Sequence, residues 1–92
     1  MTGDQKRRQV EICNGKGLHA RAAAKFCKTA AKFEAEIKVA KGLSEVSGGS
    51  IMGLMMLAAG QGTVIEIKTS GPDADDALEA LCQLVANKFD EE

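Results

Sequence analysis

The chain has 92 residues, enough for one domain with one core, and its 45% hydrophobic and 27% charged residues suit an ordinary water-soluble fold. A formal net charge of −1 gives no basic field for nucleic acid, and three phenylalanines as the only aromatic residues give no stacking platform for single strands. One histidine and three scattered cysteines (Cys13, Cys27, Cys82) supply neither C-x-x-C spacing nor an even disulfide count, so the thiols read as small buried hydrophobes and no metal or cofactor is expected.

The opening "MTGDQKRRQV" is polar and carries no secretory signal. Residues 1–6 read as a flexible tail of a single domain spanning 1–92. "RRQVEIC" then alternates as a half-buried strand, with Val10 and Ile12 on one face and Gln9 and Glu11 on the other. Asn14, Gly15 and Gly17 form a loop. From Ala20 to about Ala31 the chain is rich in good helix formers, with Ala23, Phe26, Cys27, Ala30 and Phe33 inward and Lys25, Lys28 and Lys32 outward.

"EAEIKVA" alternates again, with Ile37 and Val39 inward, and Gly42 turns the chain into a short strand over Leu43–Ser47. Gly48 and Gly49 end that strand, and Ser50 stands where the N-cap of a helix "IMGLMMLA" would stand. Gly60 and Gly62 bracket a turn before the strand "TVIEIK", which places Ile65 and Ile67 on one face. The last and clearest helix lies within "SGPDADDALEALCQLVANKF". Asp73 is its expected cap, Asp75 and Asp76 complement its first turn, Lys88 complements its end, and Ala74, Ala77, Leu78, Leu81, Val85 and Phe89 form its core stripe. The order β-α-β-β-α-β-α predicts an α+β two-layer sandwich, with a mainly antiparallel four-stranded sheet covered on one face by helices. The longest apolar run is far too short to cross a membrane, which leaves a cytoplasmic protein with no membrane partner as the expectation.

The stretch from Ile51 to Leu57 has no polar side chain. At 100° per residue Gly53, Leu54 and Leu57 share one arc, and Ile51, Met52, Met55 and Met56 fill most of the opposite one. A helix on a sheet can bury only one side, so the other arc predicts an exposed apolar patch for a protein partner; methionines suit a surface that adapts. The alternative is a helix buried on both sides by loops, for which the chain has little spare length.

His19, the only histidine, stands just ahead of the first helix, with Arg21 two residues on. The first amides of a helix lack internal acceptors and carry partial positive charge. An imidazole there tends to stay neutral, keeping a lone pair available as a nucleophile, and a phosphoryl group taken up on it would meet free amides. Arg21 adds a guanidinium for the same oxygens. Ala20, Ala22, Ala23 and Ala24 put little bulk in a partner's way. An isolated His-x-Arg pair is more often just a helix-cap residue and a solvated charge.

The combination is more specific than the pair. "GLHAR" ahead of an alanine-rich helix, followed by "SIMGLMML" and "GQGTVIEI", resembles the HPr family of phosphocarrier proteins from Val10 to Phe89. The acidic end "KFDEE" and the methionine-rich helix lean towards its nitrogen-type branch. The resemblance implies an open-faced β-sandwich of four strands and three helices. It also implies that His19 accepts a phosphoryl group on Nδ1 from the phosphoenolpyruvate-dependent enzyme I and passes it to a histidine of an EIIA-type protein. Arg21 matches the family's active-site arginine. Ser50 matches the serine modified in some branches by HPr kinase/phosphorylase, and Ile51, Met52 and Met55 match the docking patch, with Ala20 and Ala24 at its edge. Ala22 stands where the family usually has proline, so the helix start is less firmly fixed. Two readings follow: a phosphocarrier, expected to be a monomer, or a regulatory adaptor governed by the state of Ser50. A stand-alone enzyme lacks the further catalytic groups it would need.

Overall fold

The computed structural model describes residues 5–91. Apolar–polar alternation yields four strands, β1 (Lys6–Glu11), β2 (Glu36–Lys41), β3 (Ser44–Ser47) and β4 (Val64–Ser70). Helices α1 (Ala20–Ala30), α2 (Ile51–Met56) and α3 (Ala74–Ala86) separate or follow them, and a 3-10 turn over Lys88–Asp90 comes last. The sheet order is β1-β4-β2-β3, and every neighbouring pair is antiparallel. β1 starts one residue inside the expected tail because Lys6 already pairs with Thr69. Residues 1–4 of that expected tail lie outside the described residues.

Register decides which side chains meet. Val10 stands opposite Ile65, and Val39 lies between Ile67 on β4 and Val46 on β3. Period two then puts Ile37, Val39, Ile65 and Ile67 on one buried face. The helices close this face: α1 contributes Ala22, Ala23, Phe26 and Ala30, and α3 contributes Ala77, Leu78, Leu81 and Val85. Cys82 and Leu84 are also buried on α3, making its apolar face wider than the expected stripe. The opposite sheet face carries charge, with Arg7 near Glu66 (3.8 Å) and Lys68 on Glu45 (2.8 Å). Such exposed pairs add little stability; the fold rests on the buried face.

Several ends and side chains differ from the sequence reading, each for a local reason. Leu43 lies outside β3 and is fully exposed, because the turn at Gly42 (φ +59°) swings it off the sheet. Asp73 does not cap α3 with its side chain; its carboxylate accepts from the Glu34 amide at 2.7 Å instead, and its own amide donates to the Glu34 carbonyl at 3.1 Å. Asp73 therefore ties the loop before β2 to the start of α3. Lys88 is not in the last turn of α3, since the helix stops at Ala86. Phe89 is buried as expected, but through a left-handed turn and not along the helix stripe. Of the three thiols, all free, only Cys82 is buried; Cys13 and Cys27 are half-buried, Cys13 with its sulfur 3.3 Å from the Val85 carbonyl. Burial pushes the Cys27 and Cys82 thiols above their ordinary value, which keeps both in the unreactive protonated form.

Candidate functional site

The loop from Asn14 to Leu18 aims His19. Gly17 takes φ +67°, and a Cβ there would stand 2.5 Å from the Ala59 carbonyl oxygen, so only glycine lets the loop reach the 58–60 segment. The next amide, Leu18, donates to that same carbonyl at 2.9 Å. Asn14 closes the loop from inside, its Nδ2 donating to the Gly17 carbonyl at 2.8 Å.

His19 is thereby the N-cap residue of α1, in extended conformation (φ −83°, ψ −177°), and its carbonyl accepts from Ala23 at 2.8 Å. Its side chain makes no cap bond. The amides of Ala20, Arg21 and Ala22 find no backbone acceptor among the described residues, the situation of any helix start, which favours negative charge nearby. Ala22, in the first turn where proline was the family's usual choice, is fully buried within a regular helix. Arg21 is exposed and makes no salt bridge or side-chain hydrogen bond among the described residues, so its guanidinium is free to meet an incoming anion. The imidazole is neither sealed nor fully open, with 27% of its side chain accessible.

Sequence reasoning missed two residues at this site. Glu91, from the end of the chain, places Oε2 2.5 Å from His19 Nε2. Asn14, read only as loop, donates from Nδ2 to Glu91 Oε1 at 3.1 Å. These contacts hold the Glu91 carboxyl below the usual carboxylate range, the His19 hydrogen bond first, with burial opposing and Asn14 and Lys16 assisting. No periodicity in "KFDEE" could have signalled the contact, because it depends on a left-handed turn built from residues other than glycine.

The apolar helix presents what its wheel predicts. Leu54 and Leu57 are buried, while Ile51, Met52 (70% exposed), Met55 and Met56 (79%) face solvent. Gly53 on the inner side is close-packed, a Cβ there meeting Val46 at 3.2 Å. Ser50 caps the helix: its hydroxyl oxygen accepts from the Gly53 amide at 2.9 Å. Lys41 holds the other end, donating to the Leu57 carbonyl at 2.9 Å. α1 packs on α2, and Ala20 and Ala24 are exposed on α1. The histidine, the arginine and the methionine patch thus belong to neighbouring elements.

A sequence profile described as the phosphotransferase system (PTS) HPr component phosphorylation site matches residues 6–87. The chain belongs to the HPr family. HPr-family relatives cover nearly its whole length. Phosphocarrier protein HPr of Neisseria meningitidis is 52% identical over 85 residues, covering 92% of this chain and 96% of the relative. Phosphocarrier protein NPr of Shewanella violacea is 51% identical over 84 residues, covering 91% and 92%. The solved structure of HPr-C-His from Thermoanaerobacter tengcongensis matches with a TM-score of 0.90 at 45% identity, covering 95% of this chain and 98% of that one. The chain is a phosphocarrier of the phosphotransferase system, about equally similar to relatives named HPr and NPr. None of the described helices is long and apolar enough to cross a membrane.

Proposed function

We propose that His19 accepts a phosphoryl group on Nδ1 from enzyme I, charged by phosphoenolpyruvate, and hands it to an EIIA-type protein. The observation that carries this reading is the position of His19 as N-cap of α1, ahead of three amides with no backbone acceptor among the described residues, with its side chain part-exposed. Nδ1 offers its lone pair to phosphorus as the bond between phosphorus and the donor breaks. The amides of Ala20, Arg21 and Ala22 and the Arg21 guanidinium then meet the phosphoryl oxygens. Transfer onward reverses the step, with the acceptor's nitrogen displacing the imidazole. Ile51, Met52 and Met55, with Ala20 and Ala24 at the rim, form the surface on which both partners sit. The protein works in this role as a cytoplasmic monomer.

Ser50 is the regulatory site in this reading. Its hydroxyl lies at the start of α2 beside the exposed Ile51 and Met52, so a phosphate added there by an HPr kinase/phosphorylase suits the helix end yet charges the docking patch. An adaptor role, in which Ser50 phosphorylation selects a different regulator, is favoured by the same geometry and coexists with the carrier role.

A two-stage chase tests the relay. Protein charged by enzyme I and freed from it should lose its phosphate to an added EIIA-type protein. Arg21→Ala is expected to slow charging by about 100-fold, the cost of one preorganised donor to a transferring group, while melting like the wild type. Charged protein that keeps its phosphate beside every EIIA-type acceptor tried would leave the adaptor reading and remove the carrier one.

A further inference from the structure

Residues 88–90 are held in a conformation that needs a reason. Lys88, Phe89 and Asp90 have φ of +58°, +57° and +62°, three consecutive non-glycine residues in the left-handed region. Each such residue is disfavoured by the closeness of its Cβ to the following carbonyl oxygen. The turn is fastened at two points: the Phe89 side chain is fully buried, and Lys25 of α1 donates to the Phe89 carbonyl at 2.9 Å. It ends by laying the Glu91 carboxylate on His19 Nε2. A second cost is borne on the opposite side. Asn14 spends Nδ2 on Gly17 and Glu91 while its Oδ1 is buried without a partner among the described residues. Two local penalties therefore converge on one contact.

We propose that Glu91 is a positioning residue for His19, a strap that fixes the proton on Nε2 and leaves Nδ1 as the nucleophile. The proposal rests on the reading of His19 as phosphoryl acceptor. A carboxylate can only accept, so the ring nitrogen facing it carries the hydrogen. In the neutral imidazole the lone pair then lies on Nδ1, which has no hydrogen-bond partner among the described residues. As Nδ1 gives its electron pair to phosphorus and the donor bond breaks, the ring, still bearing Nε2–H, becomes cationic. Glu91, in contact with that hydrogen, offsets the new charge and holds the ring plane still. The same logic lets a carboxylate orient and support the imidazole of a hydrolase triad. Asn14 fixes the carboxylate's other oxygen, so the strap has one pose.

Nitrogen-15 spectra of the uncharged protein and rates of charging by enzyme I, compared for wild type, Glu91→Ala and Glu91→Gln, test this. The wild-type ring should be entirely in the Nε2–H form, with its Nε2 proton shifted downfield and slow to exchange. Glu91→Ala should lose that protected proton, admit the Nδ1–H form and slow charging about tenfold, as expected when the partner orienting an imidazole is removed. Glu91→Gln keeps an acceptor oxygen and should restore the protected proton and part of the rate. Unchanged spectra in Glu91→Ala overturn the proposal, and so does a changed tautomer with an unchanged rate. Failure of the underlying reading looks different: wild-type protein would not be charged at His19 at all, while the spectra would still report whether Glu91 sets the tautomer.

Discussion

Gly17 and Gly42 show how one residue type answers different demands. Both have φ near +60°, but a Cβ at Gly17 would collide with the Ala59 backbone, whereas at Gly42 it meets nothing within 4 Å. Gly42→Ala should therefore cost only the backbone term, about 1–2 kcal/mol. Gly17→Ala should cost distinctly more and should also slow charging, because it breaks the Leu18–Ala59 bond that aims His19. Urea denaturation of the two variants side by side reads this difference. The histidine's own neighbourhood sets a pH dependence. Glu91 titrates below its ordinary 4.5 because His19, Asn14 and Lys16 favour its charged form. A depressed folded value means that the strap's contribution is complete above 4.5 and is lost as pH falls through the lower value. Amide shifts of Phe89 and Glu91 should show a step in acid below 4.5 that is missing from Glu91→Gln. The same acid step persisting in Glu91→Gln would contradict the assignment of the carboxylate as the group that titrates there.

At the scale of elements, α2 is the most exposed to a single change. It has six residues and no charged side chain to complement its ends, so it depends on the Ser50 cap, the Lys41 bonds and buried Leu54. Ser50→Ala should lower stability by about 1 kcal/mol in chemical denaturation. Ser50→Asp keeps a capping oxygen and should fold about as well as wild type, yet it should be charged by enzyme I more slowly because its carboxylate adjoins Ile51 and Met52. Wild-type charging of Ser50→Asp would contradict a docking role for this face. The element boundaries also show what can be read in advance. α2 was legible in both of its faces because Leu54 and Leu57 fall opposite Met52 and Met56 by angle alone. The start of α3 was legible, since Asp73 is its N-cap residue, but the partner of the Asp73 carboxylate was not, because a side chain that caps and one that bridges to Glu34 look the same in sequence and only the approach of the preceding loop decides between them.

Across the whole molecule, periodicity accounts for the fold. Strands that alternate and helices with one apolar side leave few ways to close a two-layer core, and the antiparallel register follows from burying Val39, Ile65 and Ile67 together. Half of the candidate site was legible for the same reason: His19 and Arg21 are two residues apart in sequence and owe their placement to a helix start. The other half, Glu91 with Asn14, was not, because Glu91 reaches His19 across 72 residues, and Asn14 across 77, through a turn that no local propensity favours. The most direct measurement is to incubate the protein with phosphoenolpyruvate and enzyme I and characterise the bound phosphate. One phosphate per chain, labile in acid, stable in base and missing from His19→Ala, is the expected result. A phosphate that survives acid, or one that persists when His19 is alanine, would contradict it.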